Sequence, residues 1–286
     1  MENGYGLRGC RRCELFFIDP YPTGVERHEK VLDYSYEDVE LLDPASSYAG
    51  QKLYYERHFP LIAEECREAR SVLDVGCGTG NLLERLAVFP HLRRVGIELN
   101  RNRAAFARRI TGCEIHEMPF EEFTSAERFD VITMVNVLSH IPSFDSLFNA
   151  TRSLLQPNGK LVLRTSEMSG DAGKWSQLSW GIPDDLHFLG LRTLDFACRK
   201  YGFTVSRRIR TIYSDELFRT ERMRERGRSV LRNALKLSVA KVPYVLPALK
   251  RSYETVIGNK HYLSFIVLTP SSVHLENREL QPNLSS

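Results

Sequence analysis

Three glycines alternate at Gly76, Gly78 and Gly80 in the segment VLDVGCGTGNLL, residues 72–83. Asp74 stands two residues before the first of them, and Glu98 follows that glycine by 22 residues. A glycine turn between a strand and a helix lets the backbone approach a ligand, and the helix start points N–H groups at an anion. A carboxylate at the end of the following strand can accept both hydrogen bonds of a ribose diol. This set therefore suits a cofactor that contains adenosine. A dinucleotide fingerprint, G-x-G-x-x-G, needs a glycine at position 81, where the chain has Asn81. The third glycine comes one residue early, so the pattern departs from that of hydride carriers.

Two histidines and two cysteines could also do chemistry. His140, in NVLSHIP, and His187, in PDDLHFLGLRTL, are candidates for a general base, because imidazole titrates near neutral pH. For His140 the favoured reading is a hydrogen-bonded side chain that fixes the turn before Pro142. His187 divides between contact with an acceptor and simple packing. Cys77 reads as a small buried residue, not as a nucleophile. Cys10-x-x-Cys13 has half the spacing of a zinc knuckle, and with no second pair beside it no metal is assigned.

The elements that must position these residues follow from periodicity. SVLDV, RRVGIEL, CEIHE, FDVITMVNV, LVLRTSE and FTVSRRIRTIY read as strands. NLLERLAVF, NRNRAAFARRI, SFDSLFNATRSLL and RTLDFACRKY read as helices, with Asn100 as a cap, a QPNGK turn after the third and Gly202 ending the fourth. FPLIAEECREA is a further amphipathic helix before the glycine turn. Strands alternating with helices at these intervals predict a doubly wound parallel α/β sheet. HYLSFIVLTP is one more strand, separated from FTVSRRIRTIY by about fifty residues of helical pattern that would cap the sheet as an insertion.

In that order VLDVGCGTG, GIELN, FDVITMVNVLSHI and LLQPNGKLVLRTSE resemble the successive motifs of class I S-adenosylmethionine-dependent methyltransferases. The resemblance implies a Rossmann-like seven-stranded sheet whose last strand is antiparallel, and S-adenosyl-L-methionine as cofactor. It implies that Gly76, Cys77, Gly78 and Gly80 surround the methionine and ribose, with Asp74 orienting that loop. Glu98 would hold the ribose hydroxyls and Leu99 flank the adenine. Glu117 and Met118 would receive the adenine edge, and Asn136 and Val137 line the methionine side. The Cys10/Cys13 stretch is similar to that of a subgroup with a zinc knuckle, here incomplete. The expected acceptor is a small molecule or biosynthetic intermediate, through oxygen or carbon. A nucleic-acid methyltransferase and a non-catalytic cofactor-binding partner protein are the alternatives.

Composition bounds these readings. At 42% hydrophobic and 26% charged residues the chain can bury a full core. Residues 207–260 hold 14 Lys/Arg against 5 Asp/Glu, while the rest holds 25 against 31. A mildly acidic body thus carries a basic segment. That segment reads first as a solvated helical lid and second as a surface for an anionic acceptor, carrier or membrane. RNA or DNA is disfavoured, because VNVL replaces the N-P-P-Y type of segment that marks base methylases. The expected organisation is an N-terminal extension to 44, a core over 45–213, the insertion over 214–260, a final strand over 261–270 and a tail. Six sparse cysteines, no leader-like N-terminus and no apolar run near membrane length lead to a cytoplasmic expectation. Oligomeric state is not specified.

Overall fold

A computed structural model describes residues 4–22, 44–169, 185–212 and 261–271. The basic segment over 214–260 and all of the tail beyond Ser271 lie outside the described residues. In chain order the elements are β1 (Gly6–Gly9), β2 (Phe16–Asp19), α1 (Pro44–Cys66), β3 (Ser71–Val75), α2 (Asn81–Arg85), β4 (Arg93–Ile97), α3 (Arg101–Thr111), β5 (Glu114–His116), β6 (Phe129–Val135), α4 (Phe144–Leu154), β7 (Leu155–Met168), β8 (His187–Gly190), α5 (Thr193–Tyr201), β9 (Phe203–Ile212) and β10 (His261–Pro270). The chain divides into two compact units, the larger comprising Pro22–Thr165, Thr193–Arg208 and the chain from Phe265, the smaller comprising the rest.

The larger unit is built on a sheet with the order β5-β4-β3-β6-β7-β10-β9. Its first five strands are parallel: Asp74 of β3 lies opposite Gly96 of β4 and Thr133 of β6. β10 runs against β9, because the Ser271 N–H donates to the Gly202 carbonyl while Ser206 Oγ donates to the Val267 carbonyl. The seven expected core strands are therefore present, and the last enters between its two predecessors with reversed direction. Val72, Leu73 and Val75 are buried, as are Ile132 and Met134 and Leu161, Val162 and Leu163. Such continuous apolar runs are what a parallel sheet covered on both faces requires.

Helices follow their local signals where these are strong. Asn100 accepts from the Arg103 N–H at 3.0 Å at the start of α3, and Ser143 accepts from Ser146 at the start of α4. Gly112 and Gly202, at φ +65° and +69°, close α3 and α5. Two details differ from expectation. The helix predicted over FPLIAEECREA begins at Pro44 and runs through Pro60. Tyr55, Ile62 and Cys66, on both sides of that proline, pack with Val72, Val131 and Phe265, and this burial outweighs the local cost of proline. The QPNGK turn is absorbed into β7: Leu155 pairs with Phe129 and Lys160 with Val131, so the intervening residues form a register irregularity inside one long strand.

The smaller unit contains β1, β2, β8 and the end of β7, none of the first three being expected from the sequence. β1 and β2 form an antiparallel hairpin, β2 pairs with β8 at Phe17↔His187, and β8 pairs with β7 at Glu167↔Leu189. Glu167 is fully buried and accepts from Arg210 Nε at 2.8 Å, Arg210 Nη2 at 2.9 Å and Ser264 Oγ at 2.6 Å. Breaking a fully buried pair costs about 3–5 kcal/mol, but the Arg210 side chain is 31% exposed, so water screens part of the charge left behind. Glu167→Ala is accordingly expected to lower unfolding stability by about 1–2 kcal/mol in urea, and Glu167→Leu with Arg210→Met to recover most of that loss. Among the described residues no helix is long and apolar enough to cross a membrane.

Candidate cofactor site

The site forms where β3 and β4 end. Gly76, Gly78 and Gly80 all take positive φ, +66°, +55° and +84°. A left-handed backbone costs an ordinary L-residue roughly 1–2 kcal/mol, which explains glycine at each position. At Gly76 space matters as well: a Cβ there would lie 2.4 Å from Val137 Cγ2. The turn is closed internally, since the Cys77 N–H donates to the Ile97 carbonyl and the Gly80 N–H to the Cys77 carbonyl, both at 2.9 Å.

Two buried carboxylates frame this turn. Glu98 Oε2 accepts from the Gly78 N–H and Oε1 from the Asn100 N–H, each at 2.8 Å. One side chain thus ties the glycine loop to the start of α3. Each oxygen keeps a second lone pair, which leaves capacity for a diol. Burial raises the Glu98 pKa; the Asn100 N–H, the charges of Arg103 and His140 and the Gly78 N–H oppose that shift. Asp74 accepts from Thr133 Oγ1 at 2.6 Å through Oδ1, whereas its buried Oδ2 has no hydrogen-bond partner among the described residues. Burial pushes the Asp74 pKa up to about 7, Thr133 opposes this, and the charge of Glu98 adds to it.

This shift makes folding pH-dependent. The folded pKa of about 7 lies above the unpaired value of 3.8, so the folded state binds the proton more tightly. The stabilisation is whole below about pH 4 and is lost as pH rises through about 7. Without cofactor, stability is expected to fall by on the order of 2 kcal/mol between pH 5 and pH 8. Asp74→Asn, which keeps the Thr133 hydrogen bond, should flatten most of that decline in urea titrations.

The other expected residues divide. Cys77 is buried beside Leu83, Ala104, Ala107 and Ile115, and burial drives its thiol pKa far up, as its reading as a packing residue requires. Leu99 is half-buried directly after Glu98. Asn136, at φ +56°, is exposed, and its N–H donates to the Arg164 carbonyl at 2.8 Å, which sets Val137 against Gly76. His140 ends a short 3-10 turn, its N–H donating to the Val137 carbonyl. Glu117 is exposed and its carboxylate is paired with Arg108, with Arg101 at 3.8 Å; Met118 beside it is half-buried. His187 is buried at the start of β8 in the smaller unit, a strand the sequence reading did not include. Among the described residues no three His, Cys, Asp or Glu side chains converge on a metal position.

Several site residues went unread in the sequence. Thr133 reaches Asp74 only because β6 lies beside β3. Tyr48 on α1 hydrogen-bonds Glu84, receives Asn81 Nδ2 at its carbonyl and packs in a tilted arrangement against Phe106, ring centroids 5.8 Å apart. Gln51 Oε1 would sit 3.9 Å from a Cβ at Gly78. These α1 contacts come from a segment whose first half shows no helical periodicity. Arg164, only 2% exposed within β7, donates to His58 Nε2 of α1 at 3.1 Å.

The doubly wound sheet, with its glycine turn and two carboxylates at adjacent strand ends, defines a Rossmann-like domain of the adenosine-binding kind. More particularly, the chain belongs to the methyltransferase domain family, whose family model matches residues 48–207. A ubiquinone biosynthesis O-methyltransferase of Nitrosococcus oceani is 26% identical over 201 residues, 65% of this chain and 83% of that protein. The dTDP-4-amino-2,3,4,6-tetradeoxy-D-glucose N,N-dimethyltransferase of Saccharopolyspora spinosa is 31% identical over 137 residues. That match covers 46% of this chain and 55% of the relative, little more than half its length. The crystal structure of coclaurine N-methyltransferase bound to N-methylheliamine and SAH superimposes with a TM-score of 0.53 at 14% identity, over 75% of this chain and 71% of that one. That likeness is one of fold.

Proposed function

We propose that the chain transfers the methyl group of S-adenosylmethionine to a small-molecule acceptor. The observation that carries this reading is the coupled geometry of Asp74, the glycine turn and Glu98 within a methyltransferase-family fold. The residues present fit the cofactor. Gly76 meets Val137 so closely that no side chain could intervene, Glu98 retains lone pairs for a ribose, and the buried Asp74 Oδ2 offers an acceptor for an ammonium group or a bridging water. The cofactor, when bound, supplies an activated methyl group on a sulfonium. The chain's task is to hold it, align the acceptor and exclude water, so that proximity provides most of the acceleration.

The relatives act through oxygen in one case and nitrogen in another, so nitrogen joins oxygen and carbon as a candidate acceptor atom. We assign His187 to binding the acceptor or removing its proton. His187→Gln is then expected to lower kcat by about 100-fold or more for an oxygen or carbon acceptor, with cofactor affinity unchanged; near-wild-type turnover would end that assignment. Function itself is tested by incubating the protein and methyl-labelled cofactor with fractionated cell extract and identifying what acquires label. Cofactor binding by calorimetry without labelling of any small molecule would leave a binding protein. Label in RNA or DNA would overturn the acceptor class.

A further inference from the structure

The β1–β2 hairpin supplies none of the residues assigned above to the cofactor, yet its turn carries two thiols. The Cys10 N–H donates to the Leu15 carbonyl at 2.7 Å, and the Glu14 N–H to the Cys10 carbonyl at 2.8 Å. These bonds close the turn on both sides and bring the Cys10 and Cys13 thiols into hydrogen-bond contact. The turn is also held from below. A Cβ on Gly190 would fall 2.1 Å from the Glu14 carbonyl oxygen, so β8 passes against the turn backbone. The Glu14 carboxylate accepts from Arg192 Nε at 2.7 Å and from the Arg192 N–H at 3.1 Å. Both thiols are half-buried, whereas Cys66, Cys77 and Cys198 are buried in the core.

We propose that Cys10 and Cys13 form a redox dithiol that closes to an intramolecular disulfide by exchange with a small-molecule disulfide of the glutathione type. The Cys10 thiolate attacks one sulfur of that disulfide, forming a mixed disulfide and releasing one thiolate, which takes up a proton. Cys13 then loses its proton and attacks the Cys10 sulfur, forming the Cys10–Cys13 bond and releasing the second thiol. The protein gives up two electrons and two protons, and the small disulfide receives them. The two thiols are unequal in a way that suits this order. Backbone N–H groups of Cys13 and Arg12, together with the Cys13 thiol, hold Cys10 below the usual thiol range, while burial holds Cys13 above it. The three buried thiols are poor competitors: burial pushes Cys66 and Cys198 up to about 12 and Cys77 further still.

The full-length protein, equilibrated in mixtures of reduced and oxidised glutathione, acid-quenched, alkylated and digested, tests this by mass spectrometry. A Cys10–Cys13 disulfide should accumulate toward the oxidising end while Cys66, Cys77 and Cys198 remain alkylatable after unfolding. In Cys13→Ser the reaction should stop at a glutathione adduct on Cys10. In Cys10→Ser an adduct on Cys13 should form more slowly than the Cys10 adduct of Cys13→Ser, in line with its lower thiolate fraction. Absence of the disulfide at the oxidising end overturns the proposal. So does a stoichiometric metal in the purified protein that blocks both cysteines until a chelator removes it. The wild-type titration stands alone should either variant fail to fold.

Discussion

Alanine in place of Glu98 is expected to weaken S-adenosylmethionine binding by at least 100-fold. The wild-type carboxylate makes two 2.8 Å hydrogen bonds to backbone N–H groups, one in the glycine loop and one at the start of α3. Hydrogen bonds to a charged acceptor contribute about 1.5–3 kcal/mol each, and buried donors left unpaired add to the loss. The ribose contact would disappear in the same step. Glu98→Gln separates these causes. Its volume is nearly unchanged, but one terminal oxygen becomes an NH2 group that faces another N–H donor. The loop then loses one anchor without creating a cavity. Calorimetric titration should find both variants severely impaired, with alanine the worse, while circular dichroism shows retained helix and sheet. Binding within threefold of wild type for either variant would remove Glu98 from the cofactor site.

Gly76→Ala should be as damaging, for a different reason. The added Cβ would sit 2.4 Å from Val137 Cγ2 on a backbone at φ +66°. Overlap and left-handed strain act together there, and the loop can relieve them only by moving away from Val137. Gly78→Ala, at φ +55°, would meet nothing nearer than Gln51 Oε1 at 3.9 Å, so it carries strain alone, roughly 1–2 kcal/mol. The expected order of lost affinity is therefore Gly76→Ala well beyond Gly78→Ala. Adding Val137→Ala removes both Cγ atoms and leaves the Val137 Cβ position at 3.5 Å, an ordinary contact. The double variant should recover to about the level of Gly78→Ala. If it recovers nothing, the clash is not the cause.

Much of this site was legible before any tertiary structure because its devices are local. Glycine at a positive-φ turn, Asn100 capping α3 and apolar runs in β3 and β6 are properties of neighbouring residues, and each appears as residue type and spacing. The carboxylates at positions 74 and 98 were legible because each closes or follows such a run. Thr133 was not, since nothing near it in the chain says that its hydroxyl will face Asp74 across a strand pair. Glu117 shows the opposite case, a residue placed by motif whose carboxylate the fold engages with Arg108. The hairpin β1–β2 and strand β8 escaped for want of length: four residues each carry too little periodicity to announce a strand.

By itself, then, the sequence determined the alternation of strands and helices, the glycine pattern that departs from the dinucleotide fingerprint and the two carboxylates, because torsional preference and hydrophobic period act over a few residues. Only the tertiary structure decided that β10 enters between β7 and β9, that α1 leans on the glycine loop through Tyr48, and that Asp74 is buried deeply enough to titrate near neutrality. Those outcomes depend on which strands become neighbours and on how completely water is excluded between them. Both are set by contacts between residues far apart in the chain.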